Sequence, residues 1–200
     1  RTNTLIPIYK EEVKEYLIKY HGAEVVKNLE VDDVVIIESK SPGNLVVSVD
    51  KDSMSCPVDL FNPMHPEWGV MDCRGLGKLW WDTSGKTKKL RGIGRKWLYV
   101  QTLIGDTIDN IKPNAASDVE FGEVSAFNVI DHCITDEECF KAIKQAYQKM
   151  YPSPKKVYGF RGDVLEIDWL YVANEVFDLV RMKRSYDDNV VFGDVLAKYG

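Results

Sequence analysis

Three short stretches of this chain concentrate carboxylates. Glu30-Val-Asp32-Asp33 packs three acids into four residues, and Asp50-Lys-Asp52 sets two around a lysine. Gly105-Asp106-Thr-Ile-Asp109-Asn110 holds two at i and i+3, a spacing that faces one way on a helical turn. Seven carboxylates brought together would repel one another and be costly to desolvate, so a convergent set is expected only around cations. Magnesium or manganese suits such a set, being hard, oxygen-ligated and independent of His or Cys. His21, His65 and His132 all lie outside the motifs, which argues against zinc. Two hard cations about 3.5–4 Å apart can activate a water and stabilise the leaving oxygen of a phosphodiester. Taken singly, each motif also reads as something plainer: a solvated helix start, a turn after a strand, a loop.

The elements around these motifs are legible from periodicity. Val13, Tyr16, Leu17 and Tyr20 recur at helical spacing and Gly22 is a stop, which predicts an amphipathic helix over 9–21. Residues 23–26 read as a short strand. Residues 30–39 open a helix whose acids sit in the first turn, where the helix dipole favours them. After a turn at 41–44, residues 45–49 carry the strongest strand signal and end at Asp50. An acid at the C-terminal end of a buried strand stands where ligand sites gather in α/β folds. Residues 56–98 are irregular, with 78–81 and 89–97 flanking a hairpin around Asp82-Thr-Ser-Gly85. Helical patterns return over 98–104, 124–132 and 135–150. Tyr151-Pro-Ser-Pro154 is a break, and 166–183 reads as a last amphipathic helix.

Bulk properties bound the class. Hydrophobic residues at 44% and charged residues at 28% give a globular composition with a core, and no apolar run approaches membrane-spanning length. No signal peptide is visible after Arg1. The four cysteines lack paired spacing and read as reduced thiols, which with the rest predicts a cytoplasmic location. The net charge of −5 does not exclude a nucleic-acid partner, since setting the seven acids aside moves the balance of the remainder from −5 to +2.

The order of the three motifs resembles the flap endonuclease and 5′→3′ exonuclease family, which includes bacteriophage exonucleases and the nuclease domain of bacterial DNA polymerase I. That family has an E-A-D-D helix, a strand ending in D-K-D or D-G-D, and G-D-x-x-D-N opening a helix-hairpin-helix. The matching order runs from about residue 5 to 135. The resemblance implies an α/β fold of PIN/5′-nuclease type: a mostly parallel sheet flanked by helices over 1–105, then a modified helix-hairpin-helix and C-terminal helices over 106–200. It implies two Mg²⁺ or Mn²⁺ ions, with Glu30, Asp32 and Asp33 serving the first or sitting between the two, and Asp50, Asp52, Asp106 and Asp109 serving the second. Asp32, Asp50 and Asp106 would then be the catalytic residues, in a phage or bacterial host cell. The family's earlier aspartate and basic arch have no counterpart here, so the chain corresponds to the C-terminal two thirds of such a nuclease with an incomplete first-metal site. Of the family's hairpin glycines only Gly122 remains, and no monovalent cation is expected there.

DNA contacts are expected from the basic, Trp-bearing stretch through Lys86, Lys88, Lys89, Arg91, Arg95 and Lys96, from Gly122 in the hairpin, and from Lys141 and Lys144 on the following helix. The plainer reading is a solvated hairpin whose tryptophans close the core. Two rival functions stay open: a DNA-binding protein on the same scaffold with an incomplete catalytic set, and a magnesium-dependent hydrolase of small phosphoesters.

Overall fold

The computed structural model describes residues 7–41, 43–159 and 161–199 and shows a mixed α/β fold. Helix α1 (Lys10–His21) forms where the apolar spacing predicts and stops at Gly22, which takes the left-handed conformation at φ 66°. None of its residues is buried, so the stripe of Val13, Tyr16, Leu17 and Tyr20 faces solvent. Residues 23–26 form no strand; Val25 is exposed and the segment runs extended into α2 (Val31–Glu38). The turn expected at 41–44 includes residue 42, which lies outside the described residues.

The strand expected over 45–49 contracts to β1 (Val46–Val47), parallel to β2 (Asp59–Phe61). Strand β3 (Val70–Asp72) then pairs antiparallel with β2, giving the order β1-β2-β3. The sheet is therefore mixed, with a single parallel pair among the described residues, and not mostly parallel as expected. Between β2 and β3 an eight-residue connection, with a 3₁₀ turn over Pro66–Trp68, returns the strand antiparallel without a crossover. The basic hairpin forms with a shorter second arm than the 89–97 expected: β4 (Lys78–Asp82) pairs with β5 (Lys89–Ile93), Trp80 opposite Arg91 and Trp81 opposite Leu90, and from Arg95 the chain is helical. Leu79 and Leu90 turn to the core, so Trp80, Arg91, Asp82 and Lys89 share the other face.

Helix α3 (Arg95–Ile104) is the centre of the molecule, buried along Lys96–Leu103 and packed by α4 (Glu123–Ile130), α5 (Asp136–Met150) and α6 (Trp169–Val180). Helix α5 starts on a reciprocal cap in which Thr135 Oγ1 accepts the Glu138 amide and Glu138 accepts the Thr135 amide. The helix expected over 166–183 is shorter at its start. Residues Val164–Ile167 form β7, antiparallel to β6 (Lys155–Tyr158), and Asp168 caps α6 by accepting the Tyr171 amide. A final helix, α7 (Phe192–Ala197), closes the described chain. One hydrophobic cluster runs from Ile36 to Phe192 and is continuous across residues 105 and 106. All four cysteines are free and buried. No helix among the described residues is long and apolar enough to cross a membrane.

Gly105 ends α3 at φ 68°, and a Cβ there would stand 2.2 Å from the Ile111 carbonyl oxygen and 2.6 Å from Pro113 Cδ. Both the left-handed backbone and the contact exclude a side chain. Gly105→Ala is expected to cost more than about 1 kcal/mol in a urea melt; an unchanged midpoint would contradict the turn geometry described here.

Candidate metal and nucleic-acid site

The second and third acid motifs are held by local bonds, the first by its place at the start of α2. Glu30 precedes α2 in extended conformation and its side chain makes no capping bond, which leaves its carboxylate to the cavity beside it. Asp32 and Asp33 occupy the first turn of α2. Asp50 Oδ1 accepts the Asp52 amide at 2.9 Å, bending the chain after β1 into a 3₁₀ turn over Asp52–Ser55. Asp106 and Ile111 exchange backbone bonds at 3.0 and 2.7 Å, and Asp106 Oδ1 accepts the Ile108 amide at 2.7 Å. The i, i+3 pair thus sits on a closed turn, with Asn110 at φ 60°, and not on the helical turn expected.

Helix α3 gathers the last two motifs. Trp97 Nε1 donates to the Lys51 carbonyl at 2.9 Å, and Gln101 Nε2 donates to Asp52 Oδ1. The Lys51 ammonium reaches Asp52 Oδ1 at 2.7 Å and Asp106 Oδ2 at 2.6 Å, tying the second motif to the third across 55 positions of sequence. Asp33 Oδ1 accepts the Lys183 amide at 2.7 Å and so anchors α2 to the segment after α6.

The result is two adjoining cavities of about 580 and 540 Å³ that share Asp50 and Asp52, with Asp109 reaching both. Glu30, Asp32 and Asp33 line the second, and Asp106 the first. All seven acids singled out from the sequence therefore face this joined space, together with Asp178 and Asp188, which the sequence reading did not include. Asp188 is buried and engaged by Arg181 at 2.6 Å.

Crowding shows in the protonation equilibria. Desolvation pushes the Asp32 carboxyl above its ordinary range, reinforced by Asp50 and Asp33. Desolvation also raises Asp52, with Asp50 adding to it, beyond what Lys51 and Gln101 take back. Asp106 differs: burial works against its charge, but Lys51 and the Ile108 amide outweigh it and hold the carboxyl below the ordinary range. Burial likewise disfavours the Lys51 ammonium, yet its bonds to Asp106 and Asp52 raise its pKa overall.

The donor set is all carboxylate oxygen, which fits a hard divalent cation in type and charge. Among the described residues no three His, Cys, Asp or Glu side chains stand grouped closely enough to hold an ion as they are. Like charges spread, and Lys51 occupies the place between Asp52 and Asp106 that a cation would contest. Ion binding there would require Lys51 to yield.

The expected DNA contacts separate into two groups. Lys89 and Arg91 line the first cavity on the outward face of the hairpin. Lys86 is exposed in the hairpin loop, and the Lys88 ammonium lies 4.3 Å above the Trp81 ring. Arg95 and Lys96 do not face the site. Arg95 pairs with Asp136 at 2.7 Å and donates to the Arg74 carbonyl, while Lys96 is buried with its ammonium on the Asp131 carbonyl. The start of α3 turns both inward because its helix is the core. Gly122 precedes α4 with φ −121°, a conformation any residue adopts, and lines neither acidic cavity. Lys141 pairs with Glu137 one turn away, and Lys144 lies 6.0 Å from the Trp169 ring; neither lines the acidic cavities.

Sequence reasoning missed Lys51 and Gln101 as members of the site. Lys51 was signalled by its place between two aspartates; nothing local to Gln101 marked it. In EDTA, Lys51→Met is expected to lower Tm by about 4–8 °C, corresponding to about 2 kcal/mol, because Asp106 loses its counter-charge. Magnesium should restore much of that loss; equal Tm for both proteins without metal would contradict the pairing. Comparison with protein-family models, curated proteins and solved structures returned no match, so the functional reading rests on this geometry.

Proposed function

We propose that this chain is a divalent-cation-dependent nuclease, hydrolysing DNA phosphodiesters at or near 5′ ends and single-strand/duplex junctions, with an α/β core of PIN/5′-nuclease type. One observation carries the reading: three acidic segments far apart in sequence line one joined space, with Lys89 and Arg91 among the cations on its wall. Acids that only solvate a surface have no reason to converge at the cost that Asp32 and Asp52 register.

Glu30, Asp32 and Asp50 would hold one magnesium or manganese ion, and Asp52, Asp106 and Asp109 the other, with Asp33 fixing α2 through the Lys183 amide. When bound, such ions lower the pKa of a water and neutralise charge on the leaving oxygen. Lys89 and Arg91 would take the phosphates flanking the scissile bond, their charge compensating the entry of a polyanion into an acidic space. Gln101 and Trp97 hold the Asp50–Asp52 turn rigid, so little reorganisation is left for the reacting complex.

A second reading, a DNA-binding protein without catalysis, is favoured by the Lys51 bridge between Asp52 and Asp106. A 3′-labelled flap duplex separates the two. The nuclease reading expects cutting near the junction with magnesium or manganese and none in EDTA. Asp50→Asn and Asp106→Asn should each reduce it by roughly a hundredfold or more, the scale of a lost transition-state charge stabiliser, while circular dichroism stays unchanged. Junction binding without cutting in any metal would support the second reading. Free nucleotide hydrolysed as readily as the polymer would replace both with a small-phosphoester hydrolase.

A further inference from the structure

The first cavity has a wall that the chemistry above does not use. Residues 62–69 run Asn-Pro-Met-His-Pro-Glu-Trp-Gly and fold into a short ledge. The buried Asn62 accepts the Met64 amide on Oδ1 at 2.9 Å, and its carbonyl accepts the His65 amide at 3.0 Å. A 3₁₀ turn over Pro66–Trp68 follows, Pro63 and Pro66 fix their own φ, and Gly69 ends the ledge at φ 64°. The His65 ring stacks on Trp68 with centroids 3.9 Å apart and planes 3° from parallel. Trp68 in turn meets Trp80 of β4 edge-on at 5.8 Å. Met64 and His65 add nothing to the core, and Met64 is 72% exposed, yet the segment is held in one conformation over the cavity.

The cross-strand register completes the wall. Arg91 stands opposite Trp80, and Lys89 opposite Asp82, on the hairpin face opposite Leu79 and Leu90. Trp80 packs against the edge of the core, and Arg91 Nε lies 3.8 Å from Asp82 Oδ2. The cavity thus combines an aromatic and thioether surface, Lys89 and Arg91 on the hairpin, and the carboxylates that Lys51 bridges. An aliphatic ligand would desolvate Lys89 and the Arg91–Asp82 pair without giving them a partner. A simple anion would have no use for the ledge. A planar base carrying a phosphate uses both: stacking suits any base, and a lysine–arginine pair suits its phosphate.

We infer that the Met64–His65–Trp68 ledge with Lys89 and Arg91 is a subsite for one nucleoside monophosphate unit, the terminal nucleotide of a DNA strand, seated beside the acidic centre. The inference rests on the nuclease reading for its choice of a strand end over a free mononucleotide. It makes the ledge a device for placing the end of a strand: the base is held on one wall while the next phosphate faces Asp50 and Asp106.

The test uses the whole chain and a 3′-fluorescein duplex with a short 5′ overhang, its terminal nucleotide either normal or abasic, with calcium in place of magnesium. Met64→Ala and His65→Ala alter neither the core nor the acid set, and circular dichroism checks their fold. Wild-type protein is expected to bind the normal end roughly five- to thirty-fold more tightly than the abasic end, and each variant to lose most of that preference. Equal binding of both ends by the wild type, or a preference that survives in both variants, overturns the inference. dAMP as a competitor separates the sources: if dAMP binds and the strand shows no end preference, the strand-end assignment falls. These outcomes are independent of cutting in magnesium, so a nuclease indifferent to the terminal base leaves the proposed function standing, whereas a chain that reads the end without cutting leaves the ledge standing alone.

Discussion

Desolvation of Asp52 and Asp106 beside the Lys51 ammonium is the constraint on which the acidic cavities depend. Bare carboxylates in one cavity destabilise a fold unless something carries positive charge to them. Lys51 supplies that charge from within, bonded at once to Asp52 and Asp106. Its effect is uneven: Asp106 ends below the ordinary carboxyl range while Asp52 remains above it. Asp32 lies on the far side of the joined space with no cationic partner among the causes acting on it, and burial with two neighbouring aspartates pushes it up. Compensation is thus uneven across the joined space, strongest at Asp106 and weaker at Asp52.

Helix α3 makes the convergence possible. Its burial on nearly every side lets Trp97 and Gln101 reach the Asp50–Asp52 turn from below, while Gly105 at its end redirects the chain so that Asp106 meets Lys51. The same burial takes Arg95 and Lys96 out of reach of a ligand. A basic stretch that looks uniform in sequence is therefore divided by the strand-to-helix change at Gly94, with Lys89 and Arg91 facing the cavity and the next two cations serving the core.

Much of this was legible beforehand, for identifiable reasons. The helices with strong apolar periodicity or explicit caps, α1, α3 and α5, follow their patterns closely, and the β4–β5 hairpin lies where its turn chemistry puts it. The acids could be singled out because their clustering is costly without a purpose. What pairs with what was not legible. Strand β1 contracted because only Val46 and Val47 find β2 opposite them, and 23–26 found no strand among the described residues. Of the β6–β7 hairpin only residues 166 and 167 fell within the helix expected over 166–183, and nothing in the pattern of Lys155–Tyr158 marked it as their partner strand. The bond from Gln101 to Asp52 and the contact of Trp68 with Trp80 join distant residues, for which local sequence holds no signal.

The central claim is that the seven acids form a divalent-cation site, and a manganese titration followed by electron paramagnetic resonance tests it most directly. The account predicts saturable binding of two manganese ions per chain, displaced by magnesium, with one lost in Asp106→Asn and the other in Asp50→Asn. Binding that never saturates, or that is the same in the wild type and both variants, would contradict it.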